Sequence, residues 1–150
     1  MAESGAKRQL EQVRNMKRQM DIKLEQLKQL EEMTRRVTAS YGGEKVSKTP
    51  SRSPMEDAIL RLEEEERALK AYIHRMMDLR KEVSGQIERV ENVNFRDLLE
   101  MRYLNGYSWD MVALTMETSS GNVYKQHHYA LRAFEKIYGE GMGHGQAEEQ

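Results

Sequence analysis

The chain has 150 residues, 33% of them charged and 38% hydrophobic, with two prolines, no cysteine and a formal net charge of −1. That is room for about one ordinary domain; aromatic residues at 7% are too few to fill a large globular core, yet the apolar residues recur too regularly for a disordered chain. Disulfides, thiol nucleophiles and thiolate metal sites are excluded, as is a polyelectrolyte that coats nucleic acid through bulk charge alone. No apolar run approaches the roughly 18 residues that span a bilayer, and Met1-Ala2-Glu3-Ser4 begins no signal peptide, so a soluble cytoplasmic protein without membrane contact is expected.

In chain order, Leu10, Val13, Met16, Met20, Leu24, Leu27 and Leu30 recur at steps of three or four and form one stripe of a helix. No Gly or Pro falls between Ala6 and Ser40, so one helix is predicted over that whole distance. Residues 41–54, with Gly42-Gly43, Pro50 and Pro54, predict a flexible hinge loop. A second helix is predicted from Pro54, suited to a first turn, with Ser53 as N-cap and Glu56 and Asp57 placed well against the helix dipole. Along it Met55, Leu62, Leu69, Met76, Val83 and Val90 fall seven apart, a coiled-coil seam. A lone helix would leave that seam wet, so residues 1–93 read as a long antiparallel helical hairpin; pairing of the same seam between two chains, a homodimer, is the other solution. Gly85 costs about 1 kcal/mol relative to alanine and is a candidate bend. Glu63-Glu64-Glu65-Glu66 points to several sides of a helix and reads as a solvated face.

Eight of the ten aromatic residues lie after residue 94, which makes residues 94–138 a compact unit with an aromatic core. Asn94 caps a predicted helix from Phe95 to Leu104 that stops at Asn105-Gly106, Ser108 caps a second from Trp109 to Met116, and Ser119 caps a third that runs to about Tyr138. The spacing lets Leu98, Leu99, Tyr103, Met111, Val112, Leu114, Val123, Leu131 and Phe134 share one core, with Ala113 small enough for a close helix approach. The expected fold class is therefore all-α, a helical hairpin followed by a three-helix unit whose last two helices form a helix-turn-helix. Residues 139–150, with four glycines, predict a disordered tail.

The run Leu99-Glu100-Met101-Arg102-Tyr103-Leu104-Asn105-Gly106-Tyr107-Ser108-Trp109-Asp110-Met111-Val112-Ala113, followed by Ser119, Asn122-Val123-Tyr124 and Ala130-Leu131, resembles region 4 of sigma-70-type factors. The order of the whole chain is similar to that of phage and prophage regulators of Gram-positive bacteria, the late-operon transcriptional regulators of the ArpU/RinA type. The resemblance implies a DNA-binding transcription regulator in a bacterial cytoplasm, on the nucleoid when bound, with double-stranded DNA and bacterial RNA polymerase as partners. It implies that the third helix enters the major groove, with Ser120, Gly121, Asn122, Tyr124 and Lys125 facing the groove and His128 and Tyr129 further along toward the backbone. Val123, Ala130 and Leu131 would hold that helix to its domain, and Ser119 would cap it.

The charge is lean for this task. Residues 94–138 hold five basic and five acidic residues, and salt-dependent affinity scales with the phosphates neutralised, so a dimer or polymerase is expected to assist. Residues 1–40 carry nine basic residues against six acidic ones, and Lys45, Lys48 and Arg52 face only Glu44. No enzyme, metal or cofactor is expected: His74, His127, His128 and His144 form no i, i+4 metal pair with a carboxylate base between, and His127 and Trp109 read as packing residues. Two further readings are a coiled-coil assembly protein of the phage packaging kind and a polymerase-binding, anti-sigma-like factor without promoter-specific DNA binding.

Overall fold

A computed structural model describes residues 4–41 and 53–148, with side chains over 4–40 and 53–141; most of the expected hinge loop, residues 42–52, and the last two tail residues lie outside it. The described residues are helical and include no strand. The elements are α1 (Gly5–Tyr41), α2 (Pro54–Glu88), α3 (Val93–Leu99) continued by a π-helical turn (Glu100–Leu104), α4 (Trp109–Thr115) and α5 (Ser120–Glu148). None of these helices is long and apolar enough to cross a membrane.

Contacts divide the chain into two compact units, one made of Arg18–Met76 and the other of Met1–Lys17 together with Met77–Gln150. In the first, Glu31 lies 3.9 Å from Lys70, Thr34 Oγ1 bonds Glu66, and Lys23 Nζ stands 5.5 Å from the Tyr72 ring; residues rising along α1 meet residues falling along α2. Among the described residues of this unit Ile73 and Met76 alone are buried, and Met20, Leu27, Leu30, Leu62 and Leu69 are half-buried. Leu24, expected on the α1 stripe, is 47% exposed, and Met55, at the start of the heptad series, is 40% exposed. Two helices side by side cover one narrow seam, and at 3.6 residues per turn a straight stripe drifts off it.

The second unit contains the main core. Leu10 and Val13 of α1, Val83 and Ile87 of α2, Val90 just after it, Leu98, Leu99 and Tyr103, Val112 and Ala113 of α4, and Val123, Ala130 and Phe134 of α5 form one buried cluster. The compact unit therefore does not begin at residue 94 as expected: three short helices leave an apolar face open, and the first turns of α1 and the last turns of α2 close it. α2 passes through Gly85 to Glu88 without interruption. α4 turns Val112 and Ala113 inward with Trp109 and Met116 partly buried beside them, whereas Met111 and Leu114, both expected in the core, are 46% and 72% exposed. Positions 109, 112, 113 and 116 make one helical face, and 111 and 114 fall outside it.

Local hydrogen bonds set the boundaries. Ser53 and Glu56 form a reciprocal capping box at α2, Glu56 N–H to Ser53 Oγ at 3.2 Å and Ser53 N–H to Glu56 Oε2 at 3.4 Å. Ser108 and Ser119 accept from Met111 and Asn122 N–H, each at 3.2 Å, as their positions predicted. α3 is capped by Asn92, which accepts from Phe95 N–H at 3.1 Å, and not by Asn94, which lies inside the first turn. α5 continues past Tyr138 to Glu148, so the segment expected as a disordered tail is helical over most of its length, and Glu140 pairs with Arg89 at 3.1 Å. At Gly106 φ is +75°, a backbone conformation that favours glycine, and an added Cβ would come 3.3 Å from Lys17 Cδ, a tight contact with a flexible side chain.

The turn between α4 and α5 closes as a Schellman motif: Thr118 N–H bonds Ala113 O at 3.0 Å and Glu117 N–H bonds Leu114 O at 3.2 Å. Its left-handed position is Glu117, φ 55°, the one non-glycine residue with positive φ among those described. Because a side chain costs about 1–2 kcal/mol in that conformation, Glu117→Gly is expected to stabilise the second unit by up to about 1 kcal/mol after the greater unfolded-state entropy of glycine is subtracted. A denaturant titration followed through Trp109 fluorescence checks this; a lower midpoint would mean the Glu117 side chain contributes more than its strain costs.

Candidate nucleic-acid interface

α5 is held to its unit by Val123, Ala130 and Phe134, all essentially inaccessible, and these inward positions decide what it shows outside. Gly121, Lys125, His128 and Arg132 are exposed and follow one another at steps of four, three and four, a single stripe on the outer face. Tyr124, 56% exposed, and Tyr129, 48% exposed, flank it on either side. Ser120 is also exposed, in the first turn. Six of the seven residues singled out from the sequence thus lie on the accessible side of one helix. Asn122 differs: it is half-buried, and its Nδ2 donates to Thr118 Oγ1 at 2.8 Å, so its amide is engaged in fastening the turn. Arg132 was missed, although its spacing from Lys125 and His128 was visible in the chain.

Beneath the stripe lies a polar and aromatic cage. Tyr103 Oη and His127 Nε2 share a hydrogen bond of 2.6 Å, and the His127 ring meets Trp109 edge-on at 4.4 Å. Trp109 also lies 5.5 Å from Tyr124 and carries the Arg102 guanidinium over its face at 4.2 Å, a cation–π contact. Arg102 is 8% exposed, the one buried charged residue among the described residues, and its Nη1 donates to Tyr107 O at 2.9 Å. Burial lowers its affinity for the proton, and the like charge of Arg14 acts in the same direction. His127 is pushed down from 6.5 to about 4, first by burial and then by the positive charges of Lys7, Arg102 and His128. The imidazole is therefore neutral at physiological pH and serves as a packed hydrogen-bonding ring, in keeping with the packing roles read for Trp109 and His127.

The π-helical turn positions this cage. Asn105 N–H reaches back to Glu100 O at 2.9 Å, one residue more per turn than an α-helix allows, and Arg102 and Tyr103 are both buried within that turn. Such single turns recur at functional sites. Among the described residues no group of three or more His, Asp or Glu side chains is arranged to hold a metal ion.

Comparison with known proteins adds a family without an assigned activity. No curated protein matches the chain, and no solved structure does. Residues 44–135, more than half of the chain, match the family described as "Protein of unknown function (DUF1492)", and the chain belongs to that family.

Proposed function

We propose that this protein is a DNA-binding transcription regulator of phage or prophage genes, built as an antiparallel coiled-coil hairpin that feeds a sigma-region-4-like helix-turn-helix. In this reading α4 and α5 are the two helices of the motif and α5 lies in the major groove. The observation that carries it is the accessible face of α5, where Lys125, His128 and Arg132 follow Ser120 and Gly121 behind a tight, hydrogen-bonded turn. In this reading Lys125 donates to a guanine edge or a phosphate, Arg132 and His128 meet the backbone further along, and Tyr124 and Tyr129 pack against sugars. Asn122 contributes by holding the turn. The exposed Met111 and Leu114 on α4 favour a protein contact beside the DNA, and bacterial RNA polymerase is the partner that the sigma-like arrangement suggests.

The test is binding of the full chain to duplex fragments from its own genomic neighbourhood, at about 50 and 150 mM salt, beside Lys125→Ala/Arg132→Ala. Retention of one fragment at the higher salt, weakened by at least about tenfold in the variant, is the expected result, since each good base contact is worth about 1–3 kcal/mol. Equal binding of all fragments, unchanged in the variant, would exclude α5 as the reader; no binding at all would turn the reading toward a protein-binding or assembly role.

A further inference from the structure

Two consecutive residues of the π-helical turn reach α5 by separate routes. Tyr103 does so directly, through the hydrogen bond between its hydroxyl and His127. Arg102 does so through Trp109: its guanidinium covers the indole at 4.2 Å, and the indole in turn meets His127 at 4.4 Å and Tyr124 at 5.5 Å. Trp109 is the first residue of α4, and Tyr124 stands near the start of α5. This column therefore crosses from the π-helical turn over the beginning of one helix of the motif to the beginning of the other. It starts at a buried side chain and ends at one more than half exposed, next in the chain to Lys125.

Space-filling alone does not explain an arginine at position 102. Its Nη1 has the Tyr107 carbonyl as acceptor, but its Nε is buried without a hydrogen-bond partner among the described residues, and burial acts against its charge. An apolar side chain of similar length would occupy the site without that penalty. What the guanidinium adds is shape: it is flat and stacks on an aromatic face, so it fixes the tilt of the indole as well as its distance. A lysine ammonium is a point charge on a flexible stem and offers no such plane. With Arg102 over its face and His127 at its edge, the indole is held from two directions, and it gives the exposed Tyr124 ring a fixed aromatic neighbour.

We infer that Arg102 is a positioning residue for the DNA-reading helix: stacked on Trp109, it sets the ring of Tyr124 and, through that ring, the register of α5 in the groove. The inference rests on the DNA-binding function proposed above and adds to it a residue that itself touches neither base nor phosphate. Contacts to sugar and phosphate fix register without reading sequence. A loosened Tyr124 thus costs the specific site its base contact, while charge-driven binding to other duplexes continues.

The experiment is a double-mutant cycle on the full chain. Its readout is the affinity for the fragment retained in the binding test above, divided by the affinity for a duplex of arbitrary sequence. Arg102→Lys keeps the charge and loses the plane, and is expected to lower this ratio about tenfold, the worth of one base contact. Tyr124→Ala is expected to lower it as well, and in that background Arg102→Lys should then cost no more than about twofold, because the route it acts by is gone. Thermal unfolding by far-UV circular dichroism accompanies each variant; where Arg102→Lys fails to fold, Arg102→Met replaces it in the cycle under the same criteria. A ratio unchanged by Arg102→Lys or by Tyr124→Ala overturns the inference. Equal losses with and without the Tyr124 ring overturn it too, and make Arg102 a structural residue only. In these cases the unaltered chain still selects its fragment and α5 remains the reader. An unaltered chain that prefers no fragment removes the DNA-binding function itself, and the inference with it.

Discussion

Leu10→Ala is expected to lower the stability of the second unit by about 3 kcal/mol, within the range of buried leucine truncations that leave a cavity, although Leu10 lies far in sequence from the helices it supports. Leu10 is inaccessible to solvent and shares its cluster with Leu98, Val123 and Phe134, so its loss opens a void among α1, α3 and α5 that close-packed neighbours fill only in part. Thermal unfolding followed through the near-UV circular dichroism of Trp109, the chain's single tryptophan, reports on this unit directly. Leu27→Ala, at a half-buried position of the other unit, serves as the comparison and is expected to cost about 1 kcal/mol, with little movement of the Trp109 signal. A Trp109 transition indifferent to Leu10→Ala would mean that residues 94–138 fold without the N-terminal turns.

Acid is expected to weaken the same unit through His127. The folded protein disfavours the charged imidazole, whose pKa lies at about 4 against the ordinary 6.5, so the unfolded chain binds the proton first. The contribution of the neutral ring is fully present above pH 6.5 and is lost as the pH falls from 6.5 through 4; below that, this group adds no further loss. After allowance for solvent screening at a partly open site, the loss is about 1–2 kcal/mol. Urea midpoints at pH 7.0 and 4.5 check it. His127→Gln keeps a hydrogen-bonding side chain toward Tyr103 and removes the titration, so its midpoint is expected to change less over that interval. Parallel pH dependence in the two proteins would assign the acid sensitivity to carboxylates.

The helix limits were legible where a side chain closes its own turn. Ser53, Ser108 and Ser119 each satisfy a backbone N–H three residues on, and that chemistry is written in a four-residue window. Asn92 and Asn94 are the same residue type two positions apart, and the window does not say which one takes the extended conformation. Packing partners were less legible, since periodicity names the inward face of a helix but not what it faces. The stripe from Leu10 to Leu30 reads as one seam; in the structure Leu10 and Val13 serve a five-helix core while Leu24 stays half exposed. Met111 and Leu114 were grouped with the core as apolar residues of a short helix, although a seven-residue helix with Val112 and Ala113 inside has no room for them there. The outward face of α5 was mostly visible in Lys125, His128 and Tyr129, but Arg102 was not, because a buried arginine stacked on a tryptophan looks like a surface arginine in the sequence. The strain at Glu117 carried no local signal, since the residue is not of a type that favours positive φ.

The bond between Ser4 and Glu135 joins positions 131 residues apart, and the core beside it is built across similar distances. Contacts of such long range slow folding, because the loop must close before any of them rewards the closure. During synthesis, the apolar side of α1's first turns must wait for α5, so Leu10 and Val13 stay exposed while the chain between them and Phe134 is being made. Of the elements that complete this core, α2 is made first, and its Val83 and Ile87 are available to them before α3, α4 and α5 follow. The pairing of α1 with α2 would in this way shelter the N-terminal turns until the rest of their core arrives.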